Sequence, residues 1–255
     1  SFILSMFHPT GYTMNTNSRR TLMILTLIAV VAMLALAGCG LQSVRGSGTP
    51  VTREFDFSDF DQVSIEHAFR GTITRGDAYR VSVTVDDNLE RYLQVEQNGG
   101  RVTIGFEDPV LVRDATLEYE ITMPALTALN ASGASNAILR DFTSSDAFAV
   151  EASGASRIEG TITTGDLTAT ASGASTISLA GQGAALRGNA SGASTLDLEE
   201  FAADSANVDA SGASTINVNT SGRLDASASG ASNVHYIGNP QLGNISGSGG
   251  SEVGP

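Results

Sequence analysis

Ala171-Ser172-Gly173-Ala174-Ser175 is one of six copies of the pentapeptide ASGAS; the others begin at Ala131, Ala152, Ala190, Ala210 and Ala228. Successive copies start 21, 19, 19, 20 and 18 residues apart. A near-fixed period of this length marks a chain that stacks one unit on the next, each burying against its neighbour what it cannot bury alone. About half of the sequence is therefore expected to form a solenoid.

Take the first Ala of each motif as position 1. The residues four and two before it, and the Ala itself, form an apolar alternation: Phe148, Val150, Ala152; Leu167, Ala169, Ala171; Leu186, Gly188, Ala190; Leu224, Ala226, Ala228. A period of two is a strand. Positions 7 and 9 are apolar again, as in Ile177 and Leu179, Leu196 and Leu198, Ile216 and Val218, Val234 and Tyr236. Position 8 between them is mostly polar, with Glu159, Ser178, Asp197, Asn217 and His235. A second strand thus follows the first, and the Ser-Gly between them is a corner whose glycine can take a positive φ.

Strand, corner, strand and variable loop, with no helical period between, return the chain to its start one strand spacing further on. The fold class expected is all-β, a parallel β-helix or β-solenoid rising ~4.8 Å per coil. Six coils and a degenerate seventh at residues 245–249 give about seven, a rod of roughly 30 to 35 Å. The core strip is mainly Ala, Ile, Leu and Val. Stacked Ser and Thr (Thr176, Thr195, Thr215) are expected to form structural ladders hydrogen-bonding along the axis.

At the other end, residues 1–13 stand upstream of a start at Met14 and read as a mis-assigned beginning. Residues 14–38 carry Arg19 and Arg20, then an apolar run from Leu22 to Ala37 interrupted by Thr26, which describes an export signal. The run is short for a membrane span, which needs ~20 residues. Leu36-Ala37-Gly38 directly before Cys39, the chain's single cysteine, resembles a bacterial lipobox. That resemblance implies cleavage before Cys39 and alkylation of its thiol by diacylglycerol; two or more acyl chains make a stable anchor. An ordinary signal peptide is the alternative, and the segment from Ser18 to Met23 also resembles a twin-arginine export motif. Residues 39–50 are then the lipidated Cys39 and a flexible tether, rich in Gly and poor in apolar side chains.

Residues 51–124 alternate as strands, with Val81, Val83 and Val85, then Val102, Ile104 and Phe106 after a turn at Asn98-Gly99-Gly100, then Leu117, Tyr119, Ile121 and Met123. One short helix is expected at residues 87–93, capped by Asp87 or Asn88. This β-rich segment reads as the cap of the solenoid, since an uncovered terminal coil exposes unpaired backbone. The repeat domain spans 125–249, and 250–255 read as a disordered tail. The C-terminal coil end is the candidate site of homo-oligomer formation.

All 14 basic residues are arginine, against 27 acids, a net charge of −13. Removing the signal with Arg19 and Arg20 leaves 12 against 27, or −15. This excess argues against nucleic acid as a partner, which needs a basic patch. The single cysteine rules out an internal disulfide framework.

The repeats resemble a bacterial family of exported domains, as do Asp59-Phe60-Asp61-Gln62-Val63, Thr74-Arg75-Gly76-Asp77, Val85-Asp86-Asp87-Asn88-Leu89 and Ile121-Thr122-Met123-Pro124. The family is that of the putative autotransporter adhesin, head GIN domain. The resemblance implies a right-handed β-helix, frequent lipoprotein signals and no established biochemical activity.

The function expected is a lipid-anchored, non-catalytic adhesion or scaffold module, extracytoplasmic or at the cell surface, held to the cell membrane or an outer membrane. No cofactor or metal is expected, and the candidate ligand is a glycan, polymer or protein. The candidate surfaces are the position 8 row and the loops 140–145, 160–165, 180–184 and 199–205. The alternative is a polysaccharide-cleaving lyase or hydrolase, for which clustered carboxylates are needed. Asp197, Glu199, Glu200 and Asp204 are the densest acids near the repeats, and the mature chain keeps two histidines, His67 and His235. The acids read as a solvated loop and His235 as a solvated side chain. Ice or crystal binding through Thr arrays is a third class, but the pairs Thr72/Thr74 and Thr161/Thr163 do not recur in consecutive coils.

Overall fold

The computed structural model describes residues 43–107 and 110–255. Leu36, Ala37, Gly38 and Cys39, with the rest of the export signal, lie outside the described residues.

Each ASGAS coil contributes one strand to each of two parallel ladders. On the first, Ala128–Ala131, Phe148–Ala152, Leu167–Ala171, residues 186–190, residues 206–210, Arg223–Gly230 and Gln241–Gly249 follow one another in parallel, the last pair with a register shift between Leu224 and Ala226. On the second, the order is Asn136–Thr143, Arg157–Thr163, residues 176–182, residues 195–203, Thr215–Thr220, Asn233–Ile237 and Glu252–Gly254. The apolar alternation points inward on both: Phe148, Val150, Ala152, Ile177, Leu179, Leu196 and Leu198 are all buried. The result is an all-β solenoid with six ASGAS turns. The degenerate seventh corner is Gly247-Ser248-Gly249-Gly250-Ser251, just past the start of the stretch expected for it.

The corner is held by its second serine. Ser175 is buried, and its Oγ lies 2.8 Å from the Ser172 carbonyl oxygen and 2.9 Å from that of Ala152, one coil back. One hydroxyl proton is thus placed between an acceptor in its own coil and one in the previous coil. Ser194, Ser214, Ser232 and Ser251 repeat both contacts. Backbone bonds join the same corners, the Ala193 N–H donating to Gly173 O at 2.7 Å. Gly192 has φ +77, and a Cβ there would stand 2.6 Å from Gly173 O. Glycine is required twice over, by conformation and by the approach of the coil beneath. Thr176, Thr195 and Thr215 stack in register on the second ladder, while side-chain bonds between coils include those of the buried corner serines and of Asn217 and Asn219.

The stretches read as loops 180–184 and 199–205 are instead the middle of two continuous strands, Thr176–Ala190 and Thr195–Ala210. They form a short third side in which Gly181 pairs with Phe201 and Gly183 with Ala203. Phe201, Ala203, Ile162 and Phe142 turn inward there and are buried. Loops 140–145 and 160–165 likewise begin as strand, which runs to Thr143 and Thr163. Irregular registers between Leu139 and Phe142, Ser178 and Gly181, and Leu198 and Ala202 mark bulges that bend the chain at this edge without ending the pairing.

The N-terminal residues close both ladders. Arg101–Phe106 pairs in parallel with Gln62–Ile65, the strand below Ala128–Ala131, and is then covered by antiparallel Leu93–Asn98. Leu117–Met123 pairs in parallel with Arg70–Arg75, and Arg80–Asp86 and Pro50–Phe55 follow it antiparallel. The switch to antiparallel pairing ends the solenoid with larger side chains, among them Phe60, Phe69 and Tyr119, all buried.

Three expectations are corrected. The helix is a 3-10 turn over Asp87–Tyr92; its N-cap is Asp86 and has no side-chain cap bond. Asp87 and Asn88 bond instead to the chain expected to be a tether. The Ser47 hydroxyl donates to Asp87 Oδ1 at 2.5 Å, the Ser47 N–H to Asn88 Oδ1 at 3.0 Å, and Asn88 Nδ2 to Arg45 O at 2.8 Å. Residues 43–49 of it are a docked strap: Ser43–Arg45 pairs in parallel with Leu111–Arg113, and the Gly48 N–H donates to the buried Asp86 at 3.3 Å. Low apolar content does not imply freedom where the backbone has partners. The same reason orders the tail, in which Glu252–Gly254 pairs with residues 233–235 and the Gly250 N–H donates to Gly230 O at 2.7 Å.

Candidate functional site

Because the coils keep register, outward side chains at one position form a straight column. On the second ladder, position 8 reads Ile138, Glu159, Ser178, Asp197, Asn217 and His235, each the direct partner of the next. Beside it, position 6 reads Asn136, Arg157, Thr176, Thr195, Thr215 and Asn233. At one strand spacing per coil the two columns run about 24 Å. They offer a grid of hydroxyl, amide and carboxylate groups with little apolar relief.

The grid deepens where position 8 meets the bulged edge. Glu159, Ser178, Asp197, Glu199, Glu200 and Ile237 line a trough of about 780 Å³. Two of its carboxylates are held: Arg157 Nη1 stands 2.9 Å from Glu159 Oε1, and Asn217 Nδ2 donates to Asp197 Oδ1 at 3.3 Å. Glu199 and Glu200 are exposed. Fixed carboxylates beside free ones suit the acceptance of hydrogen bonds from a hydroxyl-rich or cationic ligand lying along the axis.

Of the acids singled out by sequence, Asp197, Glu199 and Glu200 come together here. Asp204 does not; it lies on the third side, beside Gln182, Gly183 and Ser221. His67 sits in the first corner of the cap, where its Nδ1 accepts the Phe106 N–H at 3.3 Å. His235 is on the position 8 column, six strands further along the same ladder than the strand that follows His67. The two histidines therefore do not converge. Asp86 is buried beneath the strap, where its Oδ2 accepts the Gly48 N–H. Among the described residues no cluster of His, Cys, Asp and Glu has the arrangement of a metal site.

Sequence reasoning missed the first ladder's outer face. Its columns are Ala149, Thr168, Arg187, Asn207 and Asp225, and Asn130, Glu151, Thr170, Asn189, Asp209, Ser227 and Ser246. The signal was present as the polar residue before each ASGAS. Asp225 is bound there by Arg223 at 2.6 Å, and this bond, with the backbone N–H of Asn244, lowers its carboxyl pKa. The guanidinium of Arg223 is raised in turn by Asp225.

The family model described as "Putative auto-transporter adhesin, head GIN domain" matches residues 59–240. No curated protein matches the chain. Among solved structures, a protein of Bacteroides fragilis NCTC 9343 described as a putative adhesin is similar with a TM-score of 0.77 at 18% identity, over 83% of this chain and 99% of that one. One from Parabacteroides distasonis ATCC 8503, described as a putative lipid binding protein, gives 0.68 at 22% identity over 84% and 100%. One from Parabacteroides merdae ATCC 43184, again described as a putative adhesin, gives 0.63 at 18% over 83% and 98%. At these identities the likeness is one of fold.

Proposed function

The chain belongs to the family of putative auto-transporter adhesin head GIN domains, and on that premise we propose that it is a non-catalytic binding module of the cell envelope, lipid-anchored through Cys39. The observation that carries the reading is the unbroken register of the position 6 and position 8 columns over six strands. A surface repeating at each coil matches an extended ligand that also repeats, a glycan or other polymer, better than a compact substrate. Many weak contacts along one face then add into a useful affinity.

The anchor reading rests on Leu36-Ala37-Gly38-Cys39 after an apolar run. Metabolic labelling with a fatty acid tests it, and Cys39→Ala should abolish incorporation. The binding reading is tested with the full chain in lipid nanodiscs against immobilised polysaccharides, with release of shortened chains followed in the same wells. Retention lost in the triple variant Asp197→Asn, Glu199→Gln, Glu200→Gln supports the second ladder's face. Cleavage lost in that variant would make these carboxylates those of a polysaccharide-cleaving enzyme.

A further inference from the structure

The third side of the solenoid begins abruptly where the cap joins the first ASGAS coil. Phe142 pairs with Ile162 and Thr143 with Thr163, but the pairing of their strand to Arg70–Arg75 stops at Arg140 and Thr74. Among the described residues, 141–143 therefore lack a strand partner on the cap side. Asp141, with φ 65, turns the chain into this edge. On the cap side the connection at Pro124 and Leu126 passes by, tied to the Arg75 Nε–H, which donates to Pro124 O at 3.4 Å.

Between the two lies a cavity of about 150 Å³ whose walls include Leu126, Phe142, Phe148 and Ile162, with Arg75 and Ser144 at its exposed rim. The four apolar side chains are core residues, each less than a tenth exposed. The volume is roughly that of a cavity that takes a benzene-sized group, and Thr143, Thr163 and Thr164 add hydroxyls to the apolar wall. Among the described residues no carboxylate stands within ion-pair distance of Arg75. In a chain with net charge −13, a guanidinium without an acidic partner at the mouth of a cavity whose walls are partly apolar leaves its forked donors for a ligand.

We propose that this cavity is a binding site for a small carboxylate with a compact apolar body, the size of benzoate. The body lies among Leu126, Phe142, Phe148 and Ile162, and the carboxylate meets Arg75. The site is separate from the polar grid and does not depend on the reading given to that face.

The test is methyl NMR of the full chain in nanodiscs, titrated with sodium benzoate and, as the uncharged probe, benzyl alcohol. Saturable shifts of the Leu126 and Ile162 methyls with benzoate are expected. Arg75→Gln should weaken benzoate about tenfold, the loss of a charge-assisted pair, and leave benzyl alcohol unchanged. Ser144→Trp, a change at the exposed rim that leaves the core intact, should block both probes. The proposal is overturned if millimolar benzoate gives no saturable shift at these methyls, or if Arg75→Gln leaves benzoate affinity as it was.

Discussion

The Ser194 hydroxyl lies 3.0 Å from the carbonyl oxygen of Ala171, one full coil back, and 2.9 Å from that of Ser191 in its own corner. Ser191 is exposed, whereas Ser194 is buried. Ser194→Ala removes a donor from two buried-side acceptors and should cost about 1–3 kcal/mol. Ser191→Ala should cost less than about 0.5 kcal/mol. Urea unfolding of the two variants side by side measures the difference.

The corner glycine separates two effects that usually travel together. Gly48 and Gly192 both have φ +77, but a Cβ on Gly48 would meet nothing within 4 Å, while one on Gly192 would stand 2.6 Å from Gly173 O. Gly48→Ala should therefore cost only the conformational term, about 1–2 kcal/mol. Gly192→Ala adds a clash with backbone that cannot move without shifting a coil, and should cost at least about 1 kcal/mol more. Equal midpoints in denaturant would refute the steric part.

Asn88 ties the strap by both ends of its amide, accepting from Ser47 N at 3.0 Å and donating to Arg45 O at 2.8 Å. Asn88→Ala should free residues 43–49 while leaving the solenoid intact. The expected signature is amide exchange faster by about tenfold in the strap, the loss of roughly one to two net hydrogen bonds, with protection of the ASGAS corners unchanged.

Tyr119 is 2% exposed, and its hydroxyl donates to Asn136 O at 3.1 Å. Burial pushes its pKa well above the ordinary phenol value. Above about pH 10 the unfolded chain releases this proton while the folded chain holds it, so the unfolded state binds fewer protons and stability falls as pH rises. Below that range the contribution is fully present. Tyr119→Phe should flatten the alkaline limb of the stability profile, which would otherwise fall by up to about 1.4 kcal/mol per pH unit from this group.

Much of the fold is written in the chain because the repeat imposes one local rule many times. The inward set Phe148, Val150, Ala152 and the outward Glu159, Ser178, Asp197 follow from a period of two and a fixed corner. What was illegible depended on backbone pairing, which side-chain patterns do not encode. Residues 199–205 read as a loop because Glu199 and Glu200 precede Phe201 without alternation, yet a bulge turns Phe201 into the core. The strap and the tail read as free because their residues are small and polar, but their N–H and C=O groups find partners in Asn88, Asp86 and the previous coil. The candidate site was half legible. Position 8 was visible as a row, but the separation of Asp204 from Asp197, Glu199 and Glu200 depends on which side of the coil each occupies.

The central claim is that the face bearing Asp197, Glu199 and Glu200 binds a repeating polymer and leaves it whole. The most direct measurement incubates the full chain in nanodiscs with size-defined polysaccharides and reads retention and polymer length together. The account predicts retention that strengthens with polymer length, falls at least about tenfold in the Asp197→Asn, Glu199→Gln, Glu200→Gln variant, and leaves polymer length unchanged. Shortened polymer that disappears with the same variant, or retention indifferent to these three residues, would contradict it.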